Sequence, residues 1–131
     1  MTKKRIMLAL AIVAFAALFA PGCYKVTTVD LRADLEITRD VSFAADVLPI
    51  FEKSCSISGC HNANGVAPNL SAGQAFISLT TSDYLDTENP ENSELYGFVS
   101  GKLTPAMPVG GADPEIAATI LAWIKQGAQN N

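Results

Sequence analysis

The sequence predicts a small all-α domain of about four short helices that are joined by long loops. Three observations predict this class. Apolar residues recur at near-helical spacing, helix-capping residues flank several of these segments, and stretches rich in Gly, Pro, Asn and Ser separate them. A chain of 131 residues has room for only one such domain once an N-terminal segment is set aside.

The first 22 residues have the pattern of a secretory signal. Lys3, Lys4 and Arg5 precede an apolar run at 6–20, which is too short to cross a membrane comfortably. The run ends in Ala-Pro-Gly before Cys23, which resembles the lipobox of bacterial lipoproteins. That resemblance implies lipidation of Cys23 and a place in the bacterial cell envelope, facing the periplasm or the outer surface. An uncleaved anchor, or secretion with Cys23 free, is the alternative.

Removal of this signal makes the predicted mature chain strongly acidic. It loses three of nine basic residues and none of thirteen acidic ones, so six oppose thirteen and the formal net charge changes from −4 to −7. A negative field of this kind disfavours nucleic acid and favours partner proteins with a basic docking surface. We therefore expect no nucleic acid among the partners.

The stretch 23–41 mixes charged residues with isolated apolar ones and contains neither Pro nor Gly, which indicates a tether. A first helix is predicted from Asp46 to Cys55, and Pro49 is acceptable there only inside the first turn. A loop from Ser56 to Asn69 follows, because this stretch is rich in Gly, Asn, Ser and Pro. The apolar residues at near-helical spacing around the first helix are Phe43, Val47, Leu48 and Phe51.

Two more short helices are predicted in the middle of the chain. One runs from Ala72 to Leu79 after Ser71 as N-cap. The other runs from Ser93 to Ser100, with Asn92 or Ser93 as N-cap, and ends at Gly101.

The last helix has the clearest end signals. Asp113 is a good N-cap, Pro114 suits the first helical position and Gly127 provides the stop. One apolar stripe runs along this helix, formed by Ile116, Ile120, Trp123 and Ile124.

The loop after the first helix contains Cys55-Ser56-Ile57-Ser58-Gly59-Cys60-His61. In c-type haem sites two cysteines form thioethers with the haem, and the histidine directly after the second cysteine binds the iron. Two residues usually separate the cysteines, whereas four do here, and we expect the extra length to form a looser loop around Gly59. The pattern predicts one covalent haem c on Cys55 and Cys60 with His61 as axial ligand, a single thioether being the alternative.

Three haem-free interpretations use residues of the same motif. A disulfide between Cys55 and Cys60 is sterically possible in an oxidising compartment, and it would leave a disulfide-bonded interaction lipoprotein. A zinc site would have Cys55, Cys60 and His61 as ligands but no further Cys or His to complete a tetrahedron. Two unconnected buried thiols are the third interpretation, which export to an oxidising compartment disfavours most. The pattern favours the haem site over all three.

A second axial ligand is predicted from the inventory of residues. His61 is the only histidine in the chain, and Met107 is the only methionine beyond residue 22. A lone methionine is usually part of a core, but Met107 lies in a loop between Pro105 and Pro108, which stiffen it. Binding of Met107 would fill the second axial position of the iron, and an iron without an open position is suited to electron transfer. If it does not bind, the open iron indicates a haem sensor or a peroxidase-like protein, for which no second histidine is present as acid–base group.

Six stretches of the sequence together carry a resemblance to a known type of domain. They are Val41-Ser42-Phe43, Asp46 to Phe51, Cys60-His61-Asn62, Ser93 to Tyr96, Ala106-Met107-Pro108 and Ala122 to Ala128. Over about residues 42–131 they resemble the small cytochrome c domains of Bacteroidetes and Planctomycete envelope proteins. The resemblance implies a cytochrome c-like fold in which the first and last helices cross beside the haem.

The same resemblance implies roles for individual residues. Cys55 and Cys60 would be the attachment points, His61 the proximal ligand and Met107 the distal one. Pro68 would be the residue whose carbonyl accepts the Nδ1–H of His61, an ordinary loop proline being the alternative.

The sequence therefore predicts a membrane-tethered monohaem c-type cytochrome, an electron-transfer protein and not an enzyme. Its domains would be a lipoprotein signal peptide at 1–22, a lipid-anchored tether at 23–41 and the haem domain at 42–131. It would carry one electron at a time between redox partner proteins in the envelope.

Overall fold

The computed structural model describes residues 35–131; the predicted signal peptide, the lipidation site Cys23 and the tether as far as residue 34 lie outside them. The described part is helical and has no strand. None of its helices is long and apolar enough to cross a membrane. The helices are α1 (Leu48–Ser54), α2 (Ala75–Thr80), α3 (Glu94–Val99) and α4 (Pro114–Lys125), with a π-helical turn at Phe43–Val47 and a 3-10 turn at Pro90–Asn92.

The first predicted helix is divided into two elements. Pro49 has no N–H and its ring conflicts with the carbonyl four residues earlier, so the α-helix begins at Leu48 with Pro49 in its first turn. The residues before it form the π-helical turn, in which the N–H of Val47 reaches back to the carbonyl of Ser42 at 3.3 Å. Ser42 also caps this turn, because its hydroxyl accepts the N–H of Ala45 at 3.2 Å.

The two middle helices are shorter than predicted. Helix α2 begins at Ala75 because Gly73, in the left-handed region at φ +78°, ends the preceding turn. Helix α3 begins after Ser93, but the Ser93 hydroxyl makes no cap bond. It is buried and accepts the N–H of Asp86 at 2.8 Å, which ties the loop before α3 to the core.

The prediction for the last helix is confirmed. The Asp113 carboxylate accepts the N–H of Glu115 at 2.8 Å and that of Ile116 at 3.2 Å, and Pro114 is the first helical residue. Helix α4 ends at Lys125, and Gly127 then takes a φ of +91°. Three residues of the predicted stripe, Ile120, Trp123 and Ile124, are buried, whereas Ile116 is half-buried.

Helix α4 packs against the π-helical turn, α3 and the 3-10 turn. An aromatic cluster joins the first and last elements, because the ring of Phe43 lies 5.3 Å from that of Trp123 and 6.3 Å from that of Phe51. Phe76 of α2 lies 5.4 Å from Phe43 on another side. The completely buried apolar side chains are Val47, Phe51, Leu79, Ile120 and Ile124.

Residues 37–41, which the sequence assigns to the tether, contact the helical domain. Ile37 packs against the core and Val41 is buried. The Gln126 side chain donates to the carbonyl of Arg39 at 2.9 Å and accepts the N–H of Val41 at 2.8 Å. The packed part of the described chain therefore begins at Ile37.

Candidate functional site

A closed loop brings Cys55, Cys60 and His61 together at the end of α1. Cys55 follows the last residue of the helix, and its N–H donates to the carbonyl of Phe51 at 2.9 Å. The N–H of His61 then donates to the carbonyl of Cys55 at 3.0 Å, so the chain returns to the helix end after five intervening residues. The four residues between the two cysteines are accommodated within this closed loop.

A tight turn inside the loop places Cys60. The N–H of Cys60 donates to the carbonyl of Ile57 at 3.0 Å, and Gly59 between them has a φ of +81°. A turn that needs a positive φ at its third position is typical of glycine. The extra length between the cysteines thus ends in a turn around Gly59, the residue where the sequence predicted that it would be absorbed.

The ring of His61 is oriented by the backbone. Its Nδ1 lies 3.1 Å from the carbonyl oxygen of Val66. Because a carbonyl oxygen can only accept, this hydrogen bond requires the proton on Nδ1, and in the neutral imidazole it leaves the lone pair of Nε2 free. A backbone carbonyl on one ring nitrogen is a common means of orienting a histidine whose other nitrogen binds a metal.

Pro68 does not occupy the position that the resemblance implied. Val66, two residues before it, provides the carbonyl oxygen near His61 Nδ1, while Pro68 is half-buried in the same loop. Val66 is held in place because its own N–H donates to the carbonyl of Cys60 at 2.8 Å. In this structure the acceptor for His61 Nδ1 is therefore the carbonyl of Val66 and not that of Pro68.

Gly65 is a site residue that the sequence did not single out. A Cβ atom built on it would overlap the carbonyl oxygen of Cys60 and lie 3.0 Å from Oδ1 of Asn62. Only glycine therefore allows the loop to fold back onto Cys60. In the sequence Gly65 stands among other Gly and Asn residues. Nothing there distinguishes a glycine required for close backbone contact from an ordinary turn residue.

The two cysteine side chains differ in their surroundings. Cys55 is buried and Cys60 is half-buried, and neither is in a disulfide. Burial, together with a smaller electrostatic contribution from the neighbouring Cys60, raises the pKa of the Cys55 thiol to about 11. Cys55 is therefore a protonated thiol at neutral pH.

Met107 lies on a second loop, residues 101–112, which is attached to α3. The N–H of Leu103 donates to the carbonyl of Gly97 at 2.9 Å, and that of Met107 donates to the carbonyl of Phe98 at 3.0 Å. The Met107 side chain is half-buried. Within residues 35–131 no hydrogen bond joins this loop to the loop of Cys60 and His61. The structure thus ties the two predicted axial ligands to different helices.

Lys102, at the beginning of the Met107 loop, makes two exposed contacts. Its Nζ lies 4.8 Å from the centre of the Tyr96 ring and 3.9 Å from Oε2 of Glu91. The other carboxylate oxygen of Glu91 lies 3.7 Å from Nζ of Lys125 on α4. These exposed contacts connect the loop, α4 and the 3-10 turn.

The described residues contain no group of three or more His, Cys, Asp and Glu side chains arranged to hold a metal ion. A zinc ion needs such a set from the protein, whereas a haem iron takes four ligands from the porphyrin and needs only axial ligands from the chain. The donor set of His61 Nε2 and the Met107 sulfur has the chemistry of axial haem ligands.

Large apolar side chains are exposed on both candidate loops. Ile57 and Val66 flank His61, and Leu103 and Val109 flank Met107. These four belong to the six large apolar side chains that are exposed in the described part. A separate groove of about 840 Å³ lies between residues 35–37, α3 and α4, and none of the predicted haem residues lines it.

No family model, curated protein or solved structure matches this chain. The candidate site therefore rests on its own geometry and donor chemistry.

Proposed function

We propose that this protein is a monohaem c-type cytochrome that carries single electrons in a bacterial envelope. The observation that carries the proposal is the His61–Val66 hydrogen bond, which leaves Nε2 of His61 free directly after Cys60. A zinc ion would use the same two thiols and histidine but needs a larger set of protein ligands than the described residues bring together. A covalent haem uses both thiols and the histidine without that requirement.

Cys55 and Cys60 would hold the haem through thioethers, and His61 would bind the iron through Nε2. The closed loop supports this assignment, because the His61 N–H to Cys55 carbonyl bond keeps both attachment points and the ligand on one short segment. When bound, the haem would supply an iron that changes between the ferrous and ferric states. The chain supplies the attachment points, the ligands and the apolar surroundings.

The exposed apolar side chains support a large apolar ligand at these loops. Val66 is 64% exposed and lies five residues after His61. Val109 is 80% exposed and lies two residues after Met107. Exposed apolar side chains scattered singly need no explanation, but four of the six in the described part lie on the two candidate loops, which supports a contact with something apolar there. A porphyrin face has this character.

Met107 would be the distal ligand. A thioether is a soft, neutral donor, and together with histidine it closes the iron to small molecules and raises the reduction potential. A closed iron suits electron transfer, and the Met107 loop is already held to α3 through the Phe98 carbonyl. We propose redox partner proteins with a basic docking surface, attachment to the membrane through lipid on Cys23, and no enzymatic activity.

Covalent haem is the property to test first. The full chain, with its N-terminal segment, is produced in a bacterial envelope that has a cytochrome c maturation system. Pyridine haemochrome spectra and haem staining after denaturing electrophoresis are expected to give one covalent haem per chain. Ser58→Ala, an exposed change in the same loop, serves as matched control and is expected to retain it. His61→Ala and Cys60→Ala are expected to yield little or no holoprotein.

Three results would contradict parts of this proposal. Haem-replete His61→Ala at normal yield would remove the ligand assignment. An unmodified protein without haem but with a Cys55–Cys60 disulfide would favour the interaction lipoprotein. Haem that is lost on denaturation would show that neither cysteine forms a thioether.

A further inference from the structure

The Met107 loop supplies hydrogen-bond donors to the end of α3. A helix leaves its last carbonyl groups without partners inside the helix. At the end of α3 the carbonyl of Gly97 accepts the N–H of Leu103 at 2.9 Å. The carbonyl of Phe98 accepts the N–H of Gly101 at 3.2 Å and that of Met107 at 3.0 Å. These three backbone hydrogen bonds attach the first half of the loop to the helix.

A side-chain contact accompanies this attachment. Gly97 is buried in α3. A Cβ atom built on it would lie 2.6 Å from Cδ1 and 2.8 Å from Cγ of Leu103, which is closer than such atoms can approach. The Leu103 side chain therefore lies directly against the backbone of Gly97, although Leu103 as a whole remains 41% exposed.

The backbone of α3 does not itself require a glycine at residue 97. Glycine is a poor helix-forming residue, because it loses the most conformational freedom on folding, and yet Gly97 lies inside α3. Gly97 does not have a positive φ, so its backbone conformation would also accept alanine. The close contact with Leu103 is the feature of the structure that excludes a side chain here.

Met107 is coupled to this contact through the backbone. Only three residues separate it from Leu103, and the N–H groups of both are bonded to the adjacent carbonyls of Gly97 and Phe98. A Leu103 that is pushed away from Gly97 therefore weakens the hold of α3 on Met107. A thioether is a weak ligand of ferric iron, so its binding depends on the loop that holds it.

We propose that Gly97 is a positioning residue for Met107. Gly97 leaves the space in which Leu103 lies, and Leu103 in that space keeps the Met107 loop attached to α3. The inference rests on the proposed function, because it names the groups that hold the distal ligand. Gly97 acts through Leu103, so its effect is on how often the loop leaves the helix.

Hydrogen exchange of the Met107 amide measures this attachment with or without haem. In the full chain that carries Gly97→Ala, this amide is expected to exchange at least about tenfold faster than in the unmodified protein, because the loop opens more often. Thr104→Ala, an exposed change on the same loop, is the matched control and is expected to leave the exchange unchanged. The amide of Ile120 in α4 is expected to be unaffected by either change. An unchanged Met107 amide, or equal acceleration at Met107 and Ile120, would overturn the proposal.

A second change tests whether Leu103 transmits the effect. Adding Leu103→Ala to Gly97→Ala removes the two atoms that the new methyl group would meet. The Cβ atoms of residues 97 and 103 would then lie 3.7 Å apart, which is an ordinary contact distance. The Met107 amide of the double variant is expected to exchange at least about threefold more slowly than that of Gly97→Ala, because the two changes compensate each other. A double variant that exchanges as fast as Gly97→Ala, or faster, would overturn the proposal.

Haem attachment and methionine ligation are measured separately in the same variants. Haem staining is expected to be unaffected by Gly97→Ala. The absorption band that a methionine ligand gives to ferric haem should weaken, and carbon monoxide should bind ferrous haem at least about tenfold faster. Unchanged ligation in a variant whose Met107 amide exchanges faster would overturn the role of Gly97 toward the ligand.

Failure of the proposed function would give a different result. A chain without covalent haem, or an unmodified protein whose iron is open, would contradict the assignment of the cofactor or of Met107. Exchange of the Met107 amide would still decide whether Gly97 and Leu103 hold the Met107 loop on α3.

Discussion

The Cα atom of Gly65 lies directly against the backbone carbonyl of Cys60. A Cβ atom at residue 65 would overlap the carbonyl oxygen and lie 2.8 Å from the carbonyl carbon. That carbonyl also accepts the N–H of Val66, whose own carbonyl orients His61. The close contact thus links the predicted attachment residue to the carbonyl that sets the direction of the axial ligand.

Gly65→Ala should therefore disturb the haem site as well as the stability. The added methyl group meets backbone rather than a flexible side chain, so the loop must shift, and we expect a loss of about 1–3 kcal/mol in the free energy of unfolding. Urea unfolding and absorption spectra measure the two effects. Gly59→Ala is the comparison, because no atom lies within 4 Å of its Cβ position and only the positive φ is strained. An unchanged haem spectrum in Gly65→Ala would contradict the link to His61.

Met107→Ala separates the electron carrier from the haem sensor. Loss of the thioether should open the sixth position, lower the reduction potential and allow carbon monoxide to bind ferrous haem readily, with the covalent haem retained. Stopped-flow absorption and potentiometry measure these changes. Thr104→Ala, an exposed change on the same loop, should leave both properties close to those of the unmodified protein. Rapid carbon monoxide binding and a high-spin spectrum in the unmodified protein would instead favour the sensor.

The free energy of unfolding of the domain should fall in acid because of Asp46. Arg39 contacts its carboxylate through two hydrogen bonds of 2.8 and 2.9 Å, and the N–H of Ser42 donates to it at 2.8 Å. The hydrogen bond from Arg39, and then that from Ser42, hold the pKa of Asp46 below its ordinary value. Since the folded pKa lies below the unfolded one, this stabilisation is present above the unfolded pKa and is lost as the pH falls through the folded pKa.

The difference in unfolding free energy between the unmodified protein and Asp46→Asn should thus be largest near neutral pH. It should shrink as the pH falls below about 4, the usual range of aspartate pKa values. Denaturant unfolding at several pH values measures it, with Asp40→Asn as control. A difference that stays constant with pH, or that grows in acid, would show that the ion pair with Arg39 is not its source.

Cys23→Ala should release the protein from the membrane fraction. A lipid chain on Cys23 would be the membrane attachment, and the candidate haem residues begin only at Cys55, so the haem spectrum should stay intact. Fractionation followed by haem staining measures both. Ser42→Ala, far from the anchor in sequence, is the control. Retention of Cys23→Ala in the membrane would favour an uncleaved N-terminal helix.

Local signals predicted the ends of α4 and the content of the candidate site. Asp113 caps the helix through N–H groups two and three residues ahead, so the sequence nearby contains all the information that this cap needs. The same holds for Cys60 and His61, because they are neighbours in the sequence and Gly59, with its positive φ, permits the turn before them. Pro49 predicted where α1 begins, but not the π-helical turn before it, in which Phe43 contacts the distant rings of Phe76 and Trp123.

The sequence by itself determined a helical class, the limits of the last helix and the residue types available to a haem. Only the tertiary structure decided that Val66, rather than Pro68, provides the carbonyl for His61, and that Gly65 must have no side chain. It also decided that the Ser93 hydroxyl hydrogen-bonds to the backbone of Asp86 instead of capping α3. The physical reason is that each of these choices depends on which backbone groups come within about 3 Å after the chain has folded back. A linear pattern contains the donors and acceptors but not the distances between them.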